Sequence, residues 1–178
     1  MKDIIKPIVV LACICLVVTT LLAVVNSVTA PIISAAEEAA AATARSEVLI
    51  EAKDFEKLNN ISLPDGVTEA YAGTDGSGYV FMLTQKGYGG DIKLICGMRP
   101  DGSIEAMQTL SHSETKGIGS RVVDNDSPET LSKAFAGKTA DNQDEVEAIS
   151  GATISSKAYK AAVKSAFAAF DAVKGAKA

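Results

Sequence analysis

Hydrophobic positions follow three different rhythms along this chain. From Ile8 to Val25 they form an unbroken run, IVVLACICLVVTTLLAVV, with no charged residue. At about 1.5 Å per residue this covers roughly 27 Å, close to the thickness of a bilayer core. Lys2 and Lys6 precede the run, and no Lys or Arg follows until Arg45. This charge bias predicts a cytoplasmic N-terminus (residues 1–7), a transmembrane helix over 8–30 that makes the lipid bilayer a partner, and an extracytoplasmic remainder. A cleaved export signal would carry a shorter apolar region. Val10-Leu11-Ala12-Cys13 has the shape of a lipid-attachment site, but too few apolar residues precede Cys13 for export.

The second rhythm, SAAEEAAAATARSEVLIEAKDF, is rich in Ala, Glu and Leu and predicts a helical stalk over 31–60, ending near Asn59-Asn60. From residue 61 to 178 the pattern is that of one domain. VTEAYAG, YVFMLTQ, DIKLICGMR and IEAMQTLS are short runs rich in Val, Ile, Tyr and Phe, separated by DGSG, KGYGG and PDGS, which predicts an antiparallel meander. PETLSKAFA, residues 128–136, predicts a short helix with Pro128 in its first turn. Ser155 to about Lys174 predicts an amphipathic helix, with Tyr159, Val163, Ala166, Phe170 and Val173 facing the sheet and Lys157, Lys160 and Lys164 opposite. The fold class is α+β: an antiparallel sheet packed with helices, preceded by one transmembrane helix and a helical stalk.

Composition narrows the function. The chain has 178 residues and a formal charge of -5, without a basic cluster, so nucleic acid is excluded as a partner. There is one histidine, and no spacing of ligands that would build a metal site. Cys13 and Cys15 fall in the apolar run, and Cys96 stands alone in a strand as a buried thiol, so no disulfide framework is expected. Met82, Met98 and Met107 fall in strands and read as core residues. No residue is assigned a catalytic role.

The candidate chemistry lies in AISGATISSKAYKAAV, residues 148–163. Small residues surround the Thr153 hydroxyl just before a helix, with Ser155 and Ser156 placed to cap it. A helix N-terminus at such a turn suits a phosphate. The residues alone leave two readings open, a phosphate site or a plain capping turn. A Walker-type loop is absent, which excludes a nucleoside triphosphate site of that kind.

Ser150-Gly151-Ala152-Thr153, followed by Ile154-Ser155, resembles the flavinylation motif of the FMN-binding domain family. A second stretch, residues 87–123, GYGGDIKLICGMRPDGSIEAMQTLSHSETKGIGSRV, is similar to that family's glycine-rich strand pair and its His-x-Glu-Thr-x-Gly-x-Gly loop. With the anchor and stalk, the resemblance covers nearly the whole chain. Within the family it points to the G subunits of Rnf-type ion-translocating electron-transport complexes, with the C subunit of the sodium-translocating NADH:quinone reductase as a longer relative.

The resemblance implies FMN held covalently by a phosphoester at Thr153, within a turn formed by Ser150, Gly151 and Ala152. It implies that Glu114, Thr115, Gly117, Ile118 and Gly119 face the flavin, with the glycines allowing close approach. The function implied is electron relay in a complex coupling ferredoxin oxidation and NAD reduction to sodium or proton transport, without turnover by this chain alone. Implied partners are the other membrane and iron-sulfur subunits and a flavin transferase that attaches FMN from FAD. A free-standing flavinylated domain and a non-redox surface module are the competing readings. Two positions depart from the family pattern: Glu147 stands where Asp is frequent, and Lys116 where Pro is frequent. A cation at Lys116 would favour anionic reduced flavin, or is a solvated loop lysine. His112 either senses flavin protonation or is a structural donor.

Overall fold

A computed structural model describes residues 2–59 and 61–177, with the backbone alone described at 2–4 and 176–177. Met1, Asn60 and Ala178, which bound three of the expected segments, lie outside the described residues. The chain divides into two units, one up to Ala40 and one from Ala41 onward.

The described residues of the first unit are all helical and belong to α1, Lys2–Val48. It is long and apolar enough to cross a membrane, and none of its apolar window is buried. Its hydroxyls are satisfied within the helix: Thr19 Oγ1 donates to the Cys15 carbonyl at 2.8 Å, Thr20 to Leu16 at 2.7 Å, Ser27 to Val24 at 2.8 Å and Thr29 to Val25 at 2.8 Å. In hydrocarbon each of these groups would otherwise cost free energy, since no water is present to bond it.

The second unit is built on a five-stranded antiparallel sheet in sequential order, β1 (Phe55–Lys57), β2 (Val67–Gly73), β3 (Tyr79–Lys86), β4 (Asp91–Met98) and β5 (Ile104–Ser111). Strands β2 to β5 are the antiparallel meander expected from the sequence, and β1 lies within the segment expected to be stalk helix. Three α-helices follow among the described residues, α2 (Ser120–Val123), α3 (Leu131–Phe135) and α4 (Thr153–Lys177), with a short 3-10 turn at Gln143–Glu145 before the last. Tyr159, Val163, Ala166, Phe170 and Val173 of α4 are all buried, in one core with Phe81, Leu83, Leu94, Cys96 and Met98. Met107 is buried in the same core, whereas Met82 is half-buried at the margin of the other one. Burial pushes the Cys96 thiol far above its ordinary range, so it remains an inert core thiol.

A second, smaller core joins Ala44, Val48, Leu49 and Ala52 to Tyr71, Val80 and Ile95. It explains why the helix stops at Val48 instead of running on to the expected stalk end. Leu49 is fully buried, and the chain turns through Ala52 N–H to the Leu49 carbonyl at 3.3 Å before pairing β1 with β2. Burial of these side chains outweighs the helix propensity of the segment. The approach is close: a Cβ on Gly97 would lie 2.0 Å from the Val48 carbonyl oxygen. At only three residues, β1 is too short for its alternation to have shown in the sequence.

Two helix starts also differ. Thr130 is extended and donates to the Val122 carbonyl at 3.3 Å, so α3 begins at Leu131 and leaves Pro128 in the preceding turn. The closing helix starts at Thr153, ahead of the two serines expected to cap it.

Candidate functional site

The turn before α4 is folded by its own backbone. The Ala152 amide donates to the Ile149 carbonyl at 3.1 Å, and Gly151 takes a φ of 80° that side chains rarely adopt. Ser156, fully buried, accepts the Ile149 amide on its hydroxyl at 3.1 Å, while its own amide donates to the Ala152 carbonyl at 2.9 Å. Ser156 thus ties the turn to the helix. Thr153 is the first helical residue, is exposed, and its hydroxyl has no hydrogen-bond partner among the described residues. The amides of Thr153, Ile154 and Ser155 lie ahead of the intrahelical ladder and point out of the helix end.

Across a cleft of about 410 Å³ stands the loop that follows β5. Its centre is Glu114, buried and bonded on three sides. Oε1 accepts the amides of Tyr88 and Gly89 at 2.8 and 3.1 Å, and Oε2 accepts the Ser155 hydroxyl at 2.5 Å. Gly119 is required here for space: a Cβ would lie 2.2 Å from Glu114 Oε2 and 2.8 Å from Ser155 Oγ. The Thr115 carbonyl accepts the amides of Ile118 and Ser120 at 3.1 and 3.2 Å, which shapes the loop. Gly117 has a φ of 80° with nothing near its Cβ position, so it serves the turn conformation.

The cleft brings Gly151, Ala152 and Thr153 together with Glu114, Thr115, Ile118 and Gly119. It does not include Gly117, and Ser150 lines a neighbouring open depression with Lys133, Lys138 and Glu147. Tyr88, Ile154 and Ser155 line it without having been assigned to it from the sequence. The signal for Tyr88 is a large aromatic among the glycines of GYGG, and it is 71% exposed. Ile118 and Ile154 are also exposed, each at 53%. These three exposed side chains all line the cleft and offer apolar surface to a flat partner.

His112 is not at the cleft. Its Nδ1 accepts the Glu114 amide at 3.1 Å, and Nε2 lies 2.7 Å from Asp124 Oδ1. With Nδ1 accepting, the proton sits on Nε2, and the ring acts as a structural bridge between the loop and the end of α2. Lys116 is exposed and does not line the cleft. Among the described residues no cluster of three or more potential metal ligands occurs.

A cleft volume within the roughly 300–1,000 Å³ of small-molecule sites, an apolar rim, and a helix N-terminus beside a free hydroxyl suit a planar ring with a phosphate tail. Residues 87–168 match the FMN-binding domain family, and residues 1–48 match the RnfG N-terminal region. The chain is 35% identical over 178 residues to the G subunit of the ion-translocating oxidoreductase complex of Methanosarcina acetivorans, covering 93% of each chain. The chain belongs to this G-subunit family. It is also 32% identical over 165 residues to the G subunit of the Na+-translocating ferredoxin:NAD+ oxidoreductase complex of Acetobacterium woodii, covering 80% of this chain and 79% of that one. Its identity to the G subunit of the proton-translocating ferredoxin:NAD+ oxidoreductase complex of Clostridium ljungdahlii is 34% over 125 residues, 64% of each chain.

As a member of the G-subunit family the chain carries an FMN-binding domain, and both walls of the cleft fall inside it. The RnfG N-terminal match ends at Val48, where α1 ends. The apolar helix, together with relatives that are subunits of ion-translocating complexes, indicates membrane association.

Proposed function

We propose that this chain is an electron-relay subunit of an Rnf-type complex and carries FMN joined through its phosphate to Thr153. The observation that carries this reading is the exposed, unengaged Thr153 hydroxyl at the N-terminus of α4, inside a cleft with an apolar rim. The other two hydroxyls of that helix turn are committed to structure, Ser155 to Glu114 and Ser156 to Ile149. Of the three, Thr153 alone is left to react.

In the attachment step the Thr153 oxygen attacks the FMN-side phosphorus of FAD. The bond to the bridging oxygen breaks, AMP leaves, and the hydroxyl proton is released. A flavin transferase would supply magnesium and the FAD. The α4 amides would then face the phosphate, while Tyr88, Ile118 and Ile154 would pack along the ring and Thr115 would offer its hydroxyl. When bound, FMN supplies the redox chemistry. The residues of this chain hold it, orient it and leave one edge open to partners, which suits a relay whose neighbours are membrane and iron-sulfur subunits.

The same reading places residues 1–7 in the cytoplasm, a single span over 8–30 and the FMN domain outside, on the charge asymmetry around the apolar run. The complex would couple ferredoxin oxidation and NAD reduction to transport of sodium ions or protons, and this chain by itself would show no turnover. Intact mass of the full chain produced with a flavin transferase tests the assignment. One FMN phosphoryl increment on the wild type and none on Thr153→Ala is expected; covalent flavin on the alanine variant would place the attachment elsewhere.

A further inference from the structure

We infer that Glu114 and Ser155 form a clasp that positions Thr153 for modification, so that the loop after β5 governs attachment as well as lining the cleft. The inference rests on the reading of Thr153 as the FMN acceptor. Ser155 is two residues beyond Thr153 in the first turn of α4, is 2% exposed, and donates to Glu114 Oε2 at 2.5 Å. The other carboxylate oxygen holds the amides of Tyr88 and Gly89 in the turn between β3 and β4. One buried carboxylate therefore joins three segments: the aromatic rim at Tyr88, the loop from His112 to Gly119, and the helix turn that presents the hydroxyl.

The space for this carboxylate is shaped around it. A Cβ on Gly87 would lie 2.2 Å from Glu114 Oε1, and one on Gly119 would lie equally close to Oε2. His112 supports the loop backbone from behind by accepting the Glu114 amide. On the opposite side, Ser156 ties the same first turn to Ile149. The first turn of α4 is thus held by two buried serines, while Thr153 and Ile154 between the ties and solvent remain exposed. Fixing the Cα of Thr153 and the flanking amides fixes where its oxygen meets an incoming phosphorus. Misplacement by a fraction of an ångström lowers the rate of such a displacement without changing the surface by which the protein docks.

Attachment kinetics on the full chain in detergent, with purified flavin transferase, FAD and magnesium, followed by intact mass, test the clasp. Ser155→Ala and the near-isosteric Ser155→Cys, whose thiol is a weak donor, are each expected to lower kcat about tenfold, equivalent to about 1.4 kcal/mol of barrier, at unchanged KM for the acceptor protein. Glu114→Gln can keep both backbone amides on its carbonyl and donate from its amide to Ser155 Oγ, so it should stay within about threefold of wild type. That rescue separates positioning from simple loss of folding. Either folded Ser155 variant reacting at the wild-type kcat, or a raised KM with kcat intact, would overturn the clasp while leaving the acceptor assignment standing. A wild-type chain that takes up no FMN would remove the acceptor assignment itself.

Discussion

Thr153 and Glu114 face the same cleft, yet Thr153 is exposed with an unengaged hydroxyl, whereas Glu114 is buried with both carboxylate oxygens taken. One hydroxyl is left open to solvent, and the other side chain is consumed in holding the structure around it. The resemblance points to both as residues of two family motifs, to Thr153 as the acceptor and to Glu114 as part of the loop facing the flavin. Their environments separate the roles. A side chain that must meet an external reagent has to be accessible, while the group that orients it is best shielded from water, where its hydrogen bonds are stronger and its rotamer is held.

Stability measurements give the widest expected separation between the two. Glu114→Ala strips an acceptor from two amides and a buried hydroxyl, at a cost of about 2–4 kcal/mol, which should lower the melting temperature of the apo-protein by roughly 5–10 °C. Thr153→Ala, at an exposed position, should leave it unchanged to within about 0.5 kcal/mol. Equal melting temperatures for the two variants would erase the contrast.

A smaller effect is expected at Gly119. Its backbone has a φ of -68°, ordinary for any residue, so the cost of Gly119→Ala must come from the contact with Glu114 Oε2 and Ser155 Oγ and not from backbone strain. About 1–3 kcal/mol is expected. The companion Gly117→Ala change tests a different cause, since Gly117 has open space around it and a φ of 80°. Denaturant titration of both would show a loss at each; a neutral Gly119→Ala would mean that the carboxylate can move aside at little cost.

The rim residues should matter least to the fold. Tyr88→Ala and Ile118→Ala remove exposed side chains and should change stability by no more than about 0.5 kcal/mol. In flavin-loaded protein each should nevertheless weaken the visible circular dichroism of the ring, because ring contacts make the chromophore's surroundings asymmetric. An unaltered flavin spectrum in both would remove the rim from the ring's surroundings.

Local composition was sufficient for much of the fold. The uncharged run from Ile8 to Val25 reads as a long apolar helix, and the strands from Val67 to Ser111 are legible because runs rich in Val, Ile, Tyr and Phe stand between turns rich in Gly and Asp. The buried face of α4 follows from helical spacing, and the solitary Cys96 from its apolar neighbours. The end of α1 was not legible. Nothing near Val48 breaks a helix, and it stops there because Leu49 and Ala52 find a sheet face that lies beyond any local window.

The same limit applies to the site. Ser150, Gly151, Ala152 and Thr153 are contiguous, so their motif can be read directly, but the sequence treats Ser155 and Ser156 alike as caps. Only packing distinguishes them: Ser155 meets a carboxylate 41 positions away, and Ser156 the amide of Ile149 in its own turn. Sequence by itself determined the apolar helix, the four strands from Val67 to Ser111, the closing helix and the two motifs, but not β1, α2 or the end of α1, because periodicity and turn chemistry act over a few residues. Tertiary structure decided that Glu114 is a strut, that His112 is a support, that Ser150 faces away and that Tyr88 comes to the rim. Those outcomes depend on which polar groups find partners once distant segments meet, and a buried group without a partner costs too much for the choice to be left to local preference.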